Sequence, residues 1–228
     1  MPFMPSPEAR PAPRIALIHA LSHSVEPVND LMAQQWPEAT RMNLLDDSLS
    51  ADLSRSDRGL DAAMHARFDD LASYAVGTGA EAILFTCSAF GTCIEEVAQR
   101  HTGIPVLKPN EAMIADARHA AGPVGLIATF APTLESMPAE FPADLTLRCA
   151  LAEGALDALN RGDTALHDDL IAACARRLVA EGCATIVLAQ FSMARAHDAC
   201  VRACGVPVLT TVHSAVRELK RRLGDGAP

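Results

Sequence analysis

A cysteine at position 87 is the residue of this sequence best placed to do chemistry. It follows the apolar run 81–86 and precedes 92–101, a stretch with the period of a helix. Backbone N–H groups at such a strand-to-helix turn can stabilise a thiolate, and the neighbouring Thr86 and Ser88 add hydroxyl groups that can bind a carboxylate. The position predicts a reactive cysteine beside an anion site, although a buried, inert cysteine shows the same local pattern.

The other cysteines and the histidines do not form a metal-binding pattern. The seven cysteines, at positions 87, 93, 149, 174, 183, 200 and 204, lack the Cys-x-x-Cys spacing of zinc sites. Cys200 and Cys204 are four residues apart, as are His19 and His23, but two ligands do not complete a metal shell. We therefore expect neither a metal ion nor another cofactor.

Short apolar runs alternate with longer stretches of helical period along the chain. This alternation is typical of α/β folds, in which helices cover both faces of a parallel sheet. We predict eight strands, at 15–20, 40–45, 81–86, 106–107, 124–129, 145–149, 185–189 and 206–209. The predicted helices are 25–35, 58–77, 92–101, 111–120, 132–140, 153–161, 163–181, 194–203 and 211–223. Thr92 to Glu95 has the sequence of a capping box, which predicts where the helix after Cys87 begins.

Two stretches of the chain repeat the same landmarks in the same order. Residues 79–87 align with 182–190, residues 103–107 with 205–209, and residues 16–18 with 125–127. The repeat predicts two pseudo-symmetric α/β halves, 14–120 and 121–210, with helix 211–223 packing back on the first half and a disordered tail at 1–13. Because ligands bind at the carboxyl ends of parallel strands, we expect the active site in the cleft between the halves. Gln190 then faces the ligand from the side opposite Cys87.

The composition argues against several classes of partner. The 228 residues carry 19 basic and 28 acidic side chains, and the resulting net charge of -9 repels nucleic acids and anionic membrane surfaces. No apolar run reaches the roughly 18 residues of a membrane span, and the five prolines within residues 1–13 are unlike a signal peptide. We expect a cytoplasmic protein without nucleic-acid or membrane partners, and its apolar fraction of 50% is compatible with a homodimer.

Several segments together resemble the aspartate/glutamate/hydantoin racemase superfamily, which includes maleate isomerases and arylmalonate decarboxylases. They are FTCSAFG at 85–91, GIPV at 103–106, EA at 111–112, VGLIAT at 124–129, and VAEG at 179–182 running into IVLAQFSMA at 186–194. The resemblance extends from Arg14 to about Arg222. The superfamily pattern has Gly-Cys where this chain has Ala189 and Gln190, so the second cysteine of the racemases is absent.

The resemblance implies a cofactor-independent enzyme, either an isomerase or a lyase similar to arylmalonate decarboxylase. Such an enzyme moves a proton next to the carboxylate of a small acid through a carbanion or enediolate. Racemisation in the superfamily uses two cysteines on opposite faces of the substrate carbon, and a glutamine amide neither gives nor accepts a proton at neutral pH. With Cys87 as the single acid or base, we expect decarboxylation or one-sided isomerisation. In the decarboxylase branch the retained cysteine belongs to the second half, whereas Cys87 belongs to the first.

Hydrogen-bond donors around Cys87 would stabilise the developing negative charge, each by about 3 kcal/mol in a dry pocket. We expect these donors to be backbone N–H groups in the turns after the strands, together with serine and threonine hydroxyls. Phenylalanine rings at the same turns would give the pocket an apolar side. The predicted substrate-binding residues are Ser22, Ser88, Ala89, Thr129, Phe130, Gln190, Phe191 and Ser192.

A second function is compatible with the sequence, and a third is disfavoured by it. Loss of the second cysteine is also what a carboxylate-binding module without turnover would show, and Gln190 would suit such a module as a hydrogen-bonding group. A cysteine hydrolase requires a histidine base beside Cys87, and no local spacing provides one. His19 and His23, near the end of the first strand, are candidates to orient a carboxylate or relay a proton.

Overall fold

The structure is a computed structural model, which describes residues 12–56 and 58–224. The predicted tail at 1–13 lies almost entirely outside the described residues. No helix within the described ranges is long and apolar enough to cross a membrane.

The first half of the chain forms a four-stranded parallel sheet in the order β2-β1-β3-β4. Its strands are β1 (Arg14–His19), β2 (Thr40–Leu45), β3 (Ala82–Phe85) and β4 (Val106–Leu107). The helices between and after them are α1 (Val25–Gln35), α2 (Ser48–Arg55), α3 (Ala62–Gly77), α4 (Gly91–Arg100) and α5 (Glu111–Ala117). Short 3-10 turns, Ser22–Ser24 and Ser88–Phe90, follow β1 and β3 at their carboxyl ends.

The second half repeats this arrangement in a second four-stranded parallel sheet, with the order β6-β5-β7-β8. Its strands are β5 (Val124–Ala128), β6 (Leu147–Leu151), β7 (Thr185–Leu188) and β8 (Val208–Thr210). The helices are α6 (Ala131–Ser136), α7 (Ala155–Asn160), α8 (Thr164–Ala180), α9 (His197–Cys204) and α10 (Thr211–Arg222), with 3-10 turns at Met137–Glu140 and Phe191–Ala196. Because strand order and direction are the same in both sheets, the predicted α/β class with two similar halves is confirmed.

The strand registers define which residues of the two halves are equivalent. β1 pairs with β3 through Ile18 and Phe85, and β5 pairs with β7 through Ile127 and Leu188. Each of these pairs stands at the carboxyl end of the two central strands of its sheet. Residues that follow Phe85 and Leu188 therefore leave the two sheets at matching places.

The last helix packs on the first sheet. Val212, Ala215, Val216 and Leu219 of α10 are fully buried and belong to one apolar cluster with Ile15 and Leu17 of β1, which α1 also covers. The opposite face of the first sheet packs against α3 and α4 in a separate cluster. Helices therefore cover both faces of the sheet, and the chain returns to its first half at its end.

Several predicted elements differ from the structure in extent. Helix α3 starts at Ala62 because the Asp61 side chain accepts the N–H of Met64 (3.0 Å) and caps it. The predicted helix 132–140 is α only as far as Ser136, since Pro138 has no N–H to continue the pattern. The predicted helix 194–203 begins as a 3-10 turn at Phe191, and the predicted strand 145–149 is shifted to Leu147–Leu151.

Near the cysteine turn, one prediction is wrong and one helix was not predicted. The capping box at Thr92 does not form, because the 3-10 turn Ser88–Phe90 runs directly into α4, which starts at Gly91 with Phe90 as an N-cap without a side-chain hydrogen bond. The sequence analysis also missed α2. This helix is only eight residues long and is anchored in the apolar core by Leu49, which is 1% exposed.

Candidate functional site

Cys87 and Gln190 occupy equivalent places in the two halves. Each follows the residue after a central strand, β3 or β7, and each caps the 3-10 turn that leads into the next helix. Their backbones are also alike, with φ and ψ of −126° and 122° at Cys87 and −126° and 148° at Gln190. The chain thus carries a thiol and an amide at matching turns.

The Cys87 thiol is partly exposed and packs against the apolar cluster on the α3 and α4 face of the first sheet. Burial raises the pKa of Cys87, while hydrogen bonds from the backbone N–H of Ala89 and the hydroxyl of Ser50 act in the opposite direction. The thiolate that the turn position led us to expect is therefore not the favoured form. The desolvation of the sulfur outweighs the donors around it, and Cys87 is a thiol at neutral pH.

Ser50 is a site residue that the sequence analysis missed. It lies on α2, next to the buried Leu49, and the carbonyl oxygen of Ala20 (3.3 Å) is an alternative acceptor for its single hydroxyl proton. The signal for this helix is Asp46 after the end of β2. Its carboxylate accepts the N–H (3.2 Å) and the hydroxyl (2.6 Å) of Ser48, the type of side-chain bond that marks a helix start.

Gln190 is held in place by its own hydrogen bonds. Its side-chain oxygen accepts the backbone N–H of Thr129 (2.7 Å) and the Thr129 hydroxyl (2.9 Å). Thr129 follows β5 directly and is 8% exposed. The two bonds fix the amide, and its NH₂ group has no protein partner within the described residues, so it can donate to a ligand but cannot exchange protons.

His19 does not reach a ligand in the way that the sequence suggested. Its ring is fully buried (0% exposed) at the end of β1, with Nδ1 3.0 Å from the Thr86 hydroxyl and Nε2 3.0 Å from Oδ1 of Asn43. Burial lowers the pKa of His19, so the ring is neutral. With no exposed surface and both ring nitrogens bonded to protein groups, His19 is not placed to hold a substrate carboxylate. His23 is exposed, and its Nε2 lies 3.0 Å from Oδ1 of Asn160.

The predicted substrate-binding residues differ in exposure. Phe191 is 2% exposed and packs in the core of the first half together with β1, so its ring is structural and does not line a pocket. Phe130 has the opposite environment, being 50% exposed in the turn after β5. The remaining predicted residues are accessible at least in part, except the nearly buried Thr129; they are Ser22, Ser88, Ala89 and Ser192.

The two halves meet at the carboxyl ends of their strands. The His23–Asn160 hydrogen bond joins the turn after β1 to the end of α7, which follows β6. The segment after β7 contacts the turn after β1 and helix α1, and it places Phe191 in the first half's core. These contacts bring the turns of the first sheet to the same side of the molecule as those of the second.

Arg195, His197 and His213 of the second half line a common cavity of about 410 Å³. This cavity lies between α1, the segment after β7 and the start of α10. The Arg195 side chain is paired with Asp168 (3.0 Å). Across residues 12–56 and 58–224, no three His, Cys, Asp or Glu side chains are arranged to hold a metal ion.

Two equivalent α/β halves, joined at their strand ends and carrying Cys87 and Gln190 at matching turns, define a duplicated α/β protein. The chain belongs to the Asp/Glu/hydantoin racemase family, whose sequence model matches residues 23–219. No curated protein sequence matches the chain.

Solved structures share the fold at low sequence identity. Glutamate racemase from Thermus thermophilus, in complex with β-chloro-D-alanine, is 20% identical with a TM-score of 0.68, covering 96% of this chain and 84% of its own. Allantoin racemase from Klebsiella pneumoniae is 17% identical with a TM-score of 0.68, covering 93% and 88%. A double mutant of arylmalonate decarboxylase in the liganded form is 20% identical with a TM-score of 0.68, covering 95% and 94%.

Proposed function

We propose that this protein is a cofactor-independent enzyme that delivers a proton from Cys87 to a carbanion or enediolate next to the carboxylate of a small acid. The reaction is a decarboxylation or a one-sided isomerisation. Both are compatible with membership of a family whose structural neighbours include racemases and arylmalonate decarboxylase. The proposal requires no cofactor, because the chain itself supplies the proton and the donors.

The observation that carries the proposal is that a cysteine and a glutamine occupy the two matching positions. Cys87 and Gln190 leave their sheets at equivalent turns, and the Gln190 oxygen is engaged by Thr129. Inversion of a carbon centre by two bases needs a proton-transfer group on each face. Gln190 offers an amide donor on its face, which suits binding of a carboxylate or another polar group.

The protonation state of Cys87 favours the acid role. Because burial raises the pKa of this thiol, its proton is present at neutral pH and available for donation. In a decarboxylation, the bond between the α-carbon and the departing carboxylate breaks and carbon dioxide leaves. The bonding electron pair stays on the α-carbon and spreads over the remaining carboxylate. That carbon then takes the proton from Sγ of Cys87, and solvent reprotonates the thiolate.

Exposed apolar side chains at the strand ends favour an acid with an apolar substituent. Leu21 follows β1, Leu45 ends β2 and Phe130 follows β5, and these three side chains are 48%, 47% and 50% exposed. Large apolar groups near a binding site gain most from covering apolar ligand surface. We therefore place arylmalonates and related aryl or alkyl acids ahead of aspartate as substrates.

Incubation in deuterium oxide with arylmalonates, amino acids, hydantoins and maleate tests the function. We expect deuterium at the α-carbon of a product of one of these classes, detected by NMR. Cys87→Ala should abolish the label, and Cys149→Ala, which replaces an exposed cysteine of β6, should keep it. Ligand-induced thermal protection without label uptake would instead identify a carboxylate-binding module, and full activity of Cys87→Ala would exclude this thiol as the acid.

The charge and the cysteines of the chain support a proposal for its cellular setting. A net charge of -9 disfavours nucleic-acid partners, and the seven cysteines are free thiols, as is usual in a reducing compartment. We propose a cytoplasmic enzyme whose partner is its small acid substrate. A homodimer is the proposed assembly, and sedimentation velocity would detect it as a species of twice the 24.1 kDa chain mass.

A further inference from the structure

We propose that His19 and Thr86 form a positioning device for the turn that bears Cys87, through a directional chain of hydrogen bonds that starts at helix α1. The inference rests on the proposed function in one respect, namely that Cys87 is the reacting group. It assigns a task to a buried histidine that no step of the proton transfer uses.

The direction of the chain follows from its first acceptor. The Val25 carbonyl can only accept, so the Asn29 side-chain NH₂ donates to it (2.7 Å) and also to Oδ1 of Asn43 (2.8 Å). The Asn43 NH₂ donates back to Oδ1 of Asn29 (3.1 Å). With Oδ1 of Asn43 thus fixed as an acceptor, Nε2 of His19 carries the ring proton and donates to it (3.0 Å). Nδ1 of the neutral ring is then an acceptor for the Thr86 hydroxyl (3.0 Å).

Ser24 lies beside this series of hydrogen bonds and does not change the direction of donation within it. Its hydroxyl donates to the Leu21 carbonyl (2.6 Å), so its proton is not available to His19. Its oxygen lies 3.1 Å from the Thr86 hydroxyl and 3.4 Å from Nδ1 of His19. Because the Thr86 hydroxyl has a single proton, Nδ1 of His19 (3.0 Å) and the Ser24 oxygen (3.1 Å) are alternative acceptors for it, in a place where Thr86 is 6% exposed.

The second half shows that the fold does not require this series of hydrogen bonds. By the strand registers, His19 corresponds to Ala128 and Thr86 to Ala189, and both alanines are buried. The backbone bond at this place is the same in both halves, since the Thr86 N–H donates to Ile18 (3.0 Å) and the Ala189 N–H donates to Ile127 (3.0 Å). Alanines suffice where the next residue is Gln190. Buried polar side chains, which are costly to desolvate, occur where the next residue is Cys87.

The effect on Cys87 follows from the position of Thr86. The Thr86 N–H makes the last backbone hydrogen bond to β1 before the polypeptide leaves the sheet. The next three residues are Cys87, Ser88 and Ala89. A fixed Thr86 side chain fixes the start of that turn, and with it the backbone of Cys87, Ser88 and Ala89 beside the sulfur. His19 touches no reacting atom in this arrangement and acts through Thr86.

Alkylation of Cys87 by iodoacetamide tests the device without any substrate. The rate is measured against pH by peptide mass spectrometry, which separates Cys87 from the other six cysteines. Thr86→Val keeps the shape of the side chain and removes its hydroxyl, whereas Thr86→Ser keeps the hydroxyl. Thr185→Val makes the same change at the far end of the equivalent strand β7 and serves as the control.

We expect Thr86→Val to slow alkylation about fivefold and to move its pH midpoint upwards, since about one hydrogen bond of ordinary strength is lost. Thr86→Ser should stay within about twofold of the parent, and Thr185→Val should match it. His19→Ala should reproduce Thr86→Val. If His19→Ala fails to fold, the two Thr86 variants decide.

Equal rates and midpoints for Thr86→Val and Thr86→Ser would overturn the proposal, and so would faster alkylation of Thr86→Val. An equal change in Thr185→Val would show a general loosening of the fold and would also overturn it. Because the readout needs no turnover, failure of the proposed function would appear separately, as the absence of deuterium uptake from every acid tested.

Discussion

At the residue scale, the two halves differ most where they are otherwise most alike. Cys87 and Gln190 share backbone angles and place in the fold, but the sulfur lies among apolar side chains and the amide is bound by Thr129. The cysteine side can give a proton, and the glutamine side can only donate a hydrogen bond. A reaction that uses both side chains must therefore be stereospecific.

The pH dependence of turnover distinguishes an acid from a base at Cys87. Since burial raises the pKa of this thiol, the protonated form persists above the ordinary cysteine value of about 8.5. We expect kcat to stay level from neutral pH into the alkaline range and to fall only as the thiol loses its proton. A pH–rate profile measures this. A rate that rises with pH across that range would show that the thiolate is the active form.

Replacing the amide by a second thiol should create a new activity. In Gln190→Cys, each face of the substrate carbon would have a proton-transfer group, so a chiral product with an acidic α-hydrogen should slowly racemise. Chiral chromatography of a single enantiomer incubated with the variant measures this. Gln190→Ser, which also releases Thr129 but brings no thiol, is the control. Equal racemisation by both variants would contradict the role assigned to position 190.

At the element scale, the two halves differ at one place where a helix packs on a central strand. Gly125 of β5 lies under α8, and its equivalent in the first half is Ala16 of β1, which is fully buried. A methyl group on Gly125 would lie 2.8 Å from Cδ1 of Ile186 and 2.9 Å from Cδ1 of Leu178. The two halves thus share strand order but carry different residues at this position of the central strand.

This close packing predicts a difference between two glycine substitutions. Gly125→Ala should lower the free energy of unfolding by about 1–3 kcal/mol, because the added methyl group overpacks the core. Gly103→Ala, where a methyl group would meet nothing within 4 Å, should have little effect. Urea denaturation of the two variants measures both. A Gly125→Ala variant as stable as the parent would show that α8 can move away from the sheet without cost.

The elements predicted from sequence were those with a strong local signal. Apolar runs located each of the eight strands of the described residues, and the glycine and proline landmarks showed the repeat, which the matching sheet orders confirm. Helix α2 was missed because a short, serine-rich segment has little helical signal of its own and is stabilised by burial of Leu49.

Site details that depend on tertiary contacts were beyond the sequence. The positions of Cys87 and Gln190 followed from the repeat, whereas the contact of Ser50 with the thiol depends on a helix that was not predicted. The sequence also could not show that burial raises the pKa of Cys87, because that depends on packing by distant segments. Phe191 was assigned to the pocket from its place in the chain, but it packs in the other half's core.

At the scale of the whole molecule, buried histidines connect stability to pH. Burial lowers the pKa of His19, and burial together with the nearby His197 lowers the pKa of His213 on α10. In the unfolded chain these imidazoles take up protons near pH 6.5, whereas in the folded protein they stay neutral until the pH is lower. The unfolded state binds more protons in that window, so stability falls as the pH decreases through it.

The contribution of His213 to this pH dependence can be measured. The free energy of unfolding of the parent should decrease between pH 7 and pH 5.5, and His213→Gln should show a smaller decrease. His119→Gln, at an exposed position after α5, provides the control and should follow the parent. Denaturant titrations at several pH values give the slopes. A slope for His213→Gln as steep as that of the parent would contradict the assignment.

The configuration of the product tests one-sided proton delivery most directly. An arylmalonate with two different α-substituents would be decarboxylated in deuterium oxide, and the product would be resolved by chiral chromatography. The account predicts a single enantiomer, fully labelled at the α-carbon, and no product from Cys87→Ala. A racemic product from the parent protein, or a labelled product from Cys87→Ala, would contradict it.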